Sequence, residues 1–206
     1  MLESPTTTLS VADAATARRS IRQYAPEPVP RDDLQAILET VALAPSAFNA
    51  QPWRFVIVED TDVKARLAAV AFNQRQILSA PSVIVLYSDV DDLMRTVPDV
   101  IHPGLPADQR AQTEQTILGL LGKMDERTRG DWGAAQAHIA LGYLLLAASG
   151  LGYQTSAMGG FDATGVKELL GLPESVRINA LVAIGTGTED GFPHHRHPVA
   201  RLAKFR

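Results

Sequence analysis

The chain has 206 residues, 46% of them hydrophobic and 20% charged, with a formal net charge of -4 at pH 7. That is an ordinary globular composition, enough for a substantial core in a single domain spanning residues 1–206, and its acidic balance argues against a general nucleic-acid binder. The chain has no cysteine, which excludes disulfides, thiolate nucleophiles, iron–sulfur clusters and zinc–thiolate sites, so redox chemistry here needs an imported cofactor.

Residues 1–9 lack the basic start and apolar run of a secretory signal and read as a flexible lead-in, consistent with a cytoplasmic protein. Leu34, Ile37, Leu38 and Val41 fall at helical spacing behind Pro30, Asp32 and Asp33, which predicts an amphipathic helix. Phe55–Val58, Val83–Tyr87 and Ala180–Ile184 are apolar without alternation, the pattern of strands covered on both faces. Between the first two, residues 62–78 predict two short helices with a corner at Asn73. Residues 91–106 hold prolines, a glycine and aspartates, and read as a long connection of the kind that forms lids.

Helical character resumes near Ala107, where Ile117, Leu120, Leu121 and Met124 form a stripe. From Asp131 to Ala148 the helix is apolar nearly all round, so it needs enclosure on most sides, and a second subunit is a natural way to provide it. The same stretch is too short and too polar to span a bilayer. Gly150, Gly152, Gly159 and Gly160 then mark a turn region before a helix capped by Asp162. Residues 186–206 read as a C-terminal arm.

Two segments carry chemistry. Arg18-Arg19-Ser20-Ile21-Arg22 concentrates cationic forks suited to a phosphate, with Arg196 as a second arm. Pro45-Ser46-Ala47-Phe48-Asn49-Ala50-Gln51-Pro52-Trp53 offers amides and a hydroxyl suited to the polar edge of a flat heterocycle. The bland alternatives are a solvated charged turn and local backbone capping. Gly159-Gly160 is either a plain turn or a place where the main chain approaches a flat ligand and offers N–H groups to it. His194, His195 and His197 make weak metal spacing without a partner cysteine, and no metal is expected. Gly185-Thr186-Gly187 lacks the third glycine and following helix of a dinucleotide fingerprint.

In this order and spacing, these pieces resemble the nitroreductase family of flavin mononucleotide (FMN) oxidoreductases, together with Asn73 and the run Met158-Gly159-Gly160-Phe161-Asp162. The resemblance implies an α+β, three-layer sandwich with a central, mostly antiparallel sheet flanked by helices, assembled as an intertwined homodimer with FMN at the subunit interface. It implies that Arg18, Arg19, Ser20 and Arg22 hold the phosphate, ribityl chain and pyrimidine side, with Arg196 also on the phosphate. Pro45, Ser46, Ala47, Asn49 and Gln51 belong to the loop that the other subunit supplies. Asn73 and Gln76 approach the ring edge, and Met158, Gly159 and Gly160 lie beside flavin N5. Residues 91–130 are the excursion expected to shape the substrate pocket.

The implied activity is ping-pong. NADH or NADPH, as co-substrate, delivers hydride to N5 of tightly bound FMN, and a nitroaromatic, quinone or similar small electron acceptor then takes it. No acid–base dyad is needed, because the flavin carries the chemistry. Some members have a glutamate at the position of Gly159, or a lysine near His194, and neither is present here. Alternatives on the same scaffold are a flavin-sequestering protein without nicotinamide turnover, a dehalogenase, an enone or aldehyde reductase, or a flavin-fragmenting enzyme.

Overall fold

The computed structural model describes residues 8–206; of the expected lead-in, residues 1–7 lie outside that range. Four strands form one antiparallel sheet: β1 (Trp53–Val58), β2 (Ser82–Ser88), β3 (Gln154–Met158) and β4 (Arg177–Gly185), in spatial order β1-β2-β4-β3. The two central strands, β2 and β4, are almost wholly buried, as their uninterrupted apolar runs require. At the edge, the middle of β1 is only half buried, so the expectation of full cover on both faces fails there.

Two helical layers enclose the sheet. On one face α2 (Arg31–Ala42) and α8 (Glu126–Gly150) bring Ile37, Val41, Ala137, Ala140 and Leu144 against Ile84, Leu86 and Val182. On the other, α3 (Thr61–Ala69), α4 (Arg75–Ser79) and α9 (Ala163–Leu170) bring Leu67, Ile77 and Val166 against Val83, Val85 and Leu181. The strand alternation that sends Ile84 one way and Val85 the other is what permits two cores. This is the expected three-layer α+β sandwich. The α3–α4 pair with its corner and the Asp162 cap, which accepts from Thr164 N, are also as expected.

One helix lies where the sequence signalled nothing, and two features depart from the sequence reading. The segment before Arg18 is a helix, α1 (Val11–Ala17), capped by Ser10, whose hydroxyl accepts from Asp13 N. Residues 154–158, expected within a turn region, are the edge strand β3. Residues 91–106 are not an open connection: α5 (Val90–Arg95) and α6 (Val97–Val100) fold back so that Leu93, Val97 and Ile101 pack with Ile117 and Leu121 of α7 (Ala107–Gly122). A short α10 (Val199–Leu202) lies in an exposed arm.

The apolar helix α8 is longer than the 131–148 pattern and begins behind an Asp125 cap. Within one chain it is not enclosed. One stripe, Gly133, Ala137, Ala140, Leu144 and Ala148, is buried on the sheet, while Ile139, Gly142 and Tyr143 face outward. Among the described residues no helix is long and apolar enough to cross a membrane.

Candidate functional site

After α1 the chain runs extended along the free edge of the sheet. Ser20 bridges Thr155 and Tyr24 bridges Gly187, with Ile21 N donating to Thr155 O at 3.1 Å. Ile21 and Tyr24 are buried, which leaves Ser20 and Arg22 on the outward side. The C-terminal arm folds over this segment at Gly191, whose φ of 67° and tight approach to Ile21 leave no room for a side chain. Arg18, Arg19, Ser20, Arg22, His194 and Arg196 thereby line one cavity of about 200 Å³, with exposed Phe192 at its rim.

The cavity is strongly cationic. Burial, then the guanidiniums of Arg196 and Arg19, push Arg18 below the ordinary arginine value. Arg19 Nη1 lies 2.7 Å from His194 Nε2. Larger cavities of about 380 and 540 Å³ sit at the start of α8, but their charges are mixed, and some pair within one cavity, as in Arg129–Asp91 and Lys167–Glu174. Uniform sign, rather than size, distinguishes the arginine cavity as the candidate anion site.

Glu189 ties this cavity to the α3–α4 corner. Its carboxylate accepts from Arg22 N at 2.7 Å and reaches Arg75 at 3.7 Å. In the corner, Phe72 and Asn73 adopt φ of 55° and 52°, left-handed values that cost free energy in non-glycine residues and collect at binding sites. The next residue, Gln74, donates to Gly160 O at 2.8 Å. Gly159 and Gly160 are exposed, and a Cβ at Gly159 would meet nothing within 4 Å. Arg18–Arg22, Arg196, the Asn73 corner and the double glycine thus form one continuous region.

Two expected side chains are largely buried. Met158 is buried in the core with Val166 and Leu181, so only its backbone is available. Gln76 is buried too, and its Nε2 donates to Gln74 Oε1 at 3.2 Å, which ties it to the corner. Gln74 and Glu189 escaped the sequence reading. Gln74 had a signal, its place beside Asn73, whereas a lone acid in an arm had none.

The Pro45–Gln51 loop lies elsewhere in the chain. Ala47 N donates to Gln136 Oε1 on α8 at 2.9 Å, Asn49 Nδ2 donates to Val100 O at 2.9 Å, and Gln51 N donates to Ser46 Oγ at 3.0 Å. Phe48, Asn49 and Gln51 all have positive φ, of 57°, 56° and 45°. Pro45, Ala47 and Asn49 are exposed and Ser46 is half buried. Arg18 and Arg196 instead share a shallow hollow with Leu146, also on α8. Gln136 and Leu146 are about 15 Å apart along the helix axis at 1.5 Å rise per residue. Within one chain the loop does not reach the arginine cavity.

The family model "Nitroreductase family" matches residues 15–186. A Thermus thermophilus protein named NADH dehydrogenase is 44% identical over 202 residues, covering 97% of this chain and 98% of its own. Bacillus subtilis YdgI, named for NAD(P)H nitroreductase activity, is 28% identical, with 92% of this chain and 94% of its own covered. Among solved structures, an Exiguobacterium sibiricum protein named for the nitroreductases and crystallised in complex with FMN superposes with a TM-score of 0.87 at 28% identity, over 98% of this chain and 99% of its own. With its sandwich, its edge-strand arginines and its double glycine, the chain belongs to the nitroreductase family.

Proposed function

We propose that the protein binds FMN tightly, takes electrons from NADH or NADPH, and passes them to nitroaromatics, quinones or similar electron-poor small molecules. The observation that carries this reading is the single-sign cavity of Arg18, Arg19, Ser20, Arg22 and Arg196, continuous through Glu189, Arg75 and Gln74 with an open double glycine. The donor set fits FMN. A phosphate dianion matches clustered guanidiniums and a hydroxyl, and the empty space over Gly159 leaves room for a flat ring.

Arg18 and Arg196 neutralise the phosphate, Ser20 donates to it, and Arg22 and Arg19 extend the cation toward the ribityl chain. Bound there, FMN supplies the hydride acceptance and donation that no side chain of this protein offers. The corner and the glycine backbone orient the ring, and residues 91–130 shape the space in which the acceptor sits. We read the chain as a homodimer in which the Pro45–Gln51 loop of a second copy completes the site. The outward Ile139, Gly142 and Tyr143 of α8 and the loop's distance from the arginine cavity support this.

The test is spectroscopic. Purified protein should carry a flavin absorbance that bleaches on anaerobic addition of NADH or NADPH and returns on addition of a quinone. A colourless protein that FMN cannot reconstitute overturns the proposal, and bound flavin that stays oxidised reduces it to flavin sequestration.

A further inference from the structure

Gly159 and Gly160 have no side chains with which to anchor themselves, and a backbone of glycines is the least ordered a chain can offer. Phe161 follows, half buried, and Asp162 N then donates to Val70 O at 2.7 Å. The carbonyl of Gly160 itself is held by a side chain: Gln74 Nε2 donates to it at 2.8 Å across 86 positions of sequence.

The other end of that amide has a partner as well. Gln76, 6% exposed, donates its Nε2 to Gln74 Oε1 at 3.2 Å. An amide that must present its oxygen to Gln76 has only its NH₂ left for Gly160. The backbone beneath is fixed as well. Asn73 N donates to Ala68 O at 2.8 Å and Gln74 N to Ala71 O at 3.2 Å, and the Phe72 ring stands 3.6 Å from where a Cβ of Gly160 would be. Phe72 and Asn73, both at positive φ, make up the corner that faces the double glycine.

The geometry points to Gln74 as a positioning residue: anchored by Gln76, it pins the Gly160 carbonyl and so sets the aim of the Gly159–Gly160 backbone against the flavin ring. This rests on the FMN reading above, but the pin itself is a property of the polypeptide alone. It touches no reacting atom, so its effect is on the orientation of the glycine backbone and not on the retention of the phosphate.

The experiment compares Gln74→Glu, which is nearly isosteric and replaces both donors by acceptors, with Gln74→Lys, which restores a donor. In FMN-free protein, amide exchange over residues 157–162 should quicken about tenfold in Gln74→Glu with the melting temperature unchanged. In FMN-loaded protein, kcat with NADH should fall about tenfold while KM and FMN affinity hold within about twofold, since orientation and not binding is lost. Gln74→Lys should recover most of both. Unchanged exchange in Gln74→Glu overturns the pin, and a lowered melting temperature with unchanged kcat assigns Gln74 a purely structural role and overturns the inference. If the wild-type protein holds no FMN the functional reading fails, and the exchange result still judges the pin.

Discussion

Arg18 sits where burial and two other guanidiniums oppose its charge, in a hollow that Arg19, Arg22 and Arg196 also line. Such a cluster is stabilised when an anion enters, because each charge-assisted hydrogen bond then contributes about 1.5–3 kcal/mol. Arg18→Ala should therefore weaken FMN affinity by roughly one to two decades, read by flavin fluorescence titration. It should leave the melting temperature of FMN-free protein unchanged or raised, because a repelling neighbour has gone. The tyrosines make a separate prediction. Burial first, then Glu189 for Tyr24, Asp89 for Tyr87, and the hydrogen bond to Asp33 for Tyr153, push all three phenols above their ordinary value. A group raised on folding contributes stability that is complete below its unfolded-state pKa and is lost as pH rises toward the folded value. Denaturant midpoints should accordingly hold to about pH 10 and fall above it, with a smaller fall in Tyr153→Phe.

At the scale of elements, α8 separates two glycines that look alike in the sequence. A Cβ at Gly133 would lie 2.6 Å from Val90 Cγ2 and 3.2 Å from Ser88 Oγ, whereas at Gly142 it would meet nothing within 4 Å. Gly133→Ala should cost about 1–3 kcal/mol by overpacking. Gly142→Ala should add about 0.5–1 kcal/mol of helix stability to an isolated chain, and thermal melts of the two variants would show the opposite shifts. Such contrasts are also why only part of the fold was legible beforehand. The apolar runs of β1, β2 and β4 and the Leu34–Val41 stripe signal their elements by hydrophobicity alone. β3, with Gln154, Thr155 and Ser156 between glycines, has no such pattern and is a strand because the edge of β4 offers it hydrogen bonds. α1 buries only Ala14, so no stripe announced it. In the candidate site, clustered arginines stand out because their chemistry is concentrated. Gln74 and Glu189 act through single contacts between segments far apart in sequence, which no local pattern encodes.

The whole molecule poses the question of the uncovered side of α8. The helix reads as apolar all round, yet the sheet takes only one stripe of it, and Ile139 and Tyr143 stand more than a third exposed beside Gly142. In a lone chain, the Pro45–Gln51 loop is bonded near Gln136 while the arginine cavity opens near Leu146. In the proposed dimer, a twofold partner packed along α8 would relieve both conditions at once, covering the apolar side and bringing its own loop toward Arg18 and Arg196. Dimerisation and flavin retention would then be one property. Ile139→Arg, which places an unpaired charge in that contact, should convert a dimer to a monomer in analytical ultracentrifugation and lower FMN affinity by at least about tenfold, although residue 139 lines no part of the arginine cavity. FMN-free folding should survive, because the position is solvated in the single chain. If Ile139→Arg becomes monomeric and still binds FMN as tightly as the parent, the loop has no part in the site. If the parent is already monomeric, Gly142→Ala should be stabilising without any cost to assembly.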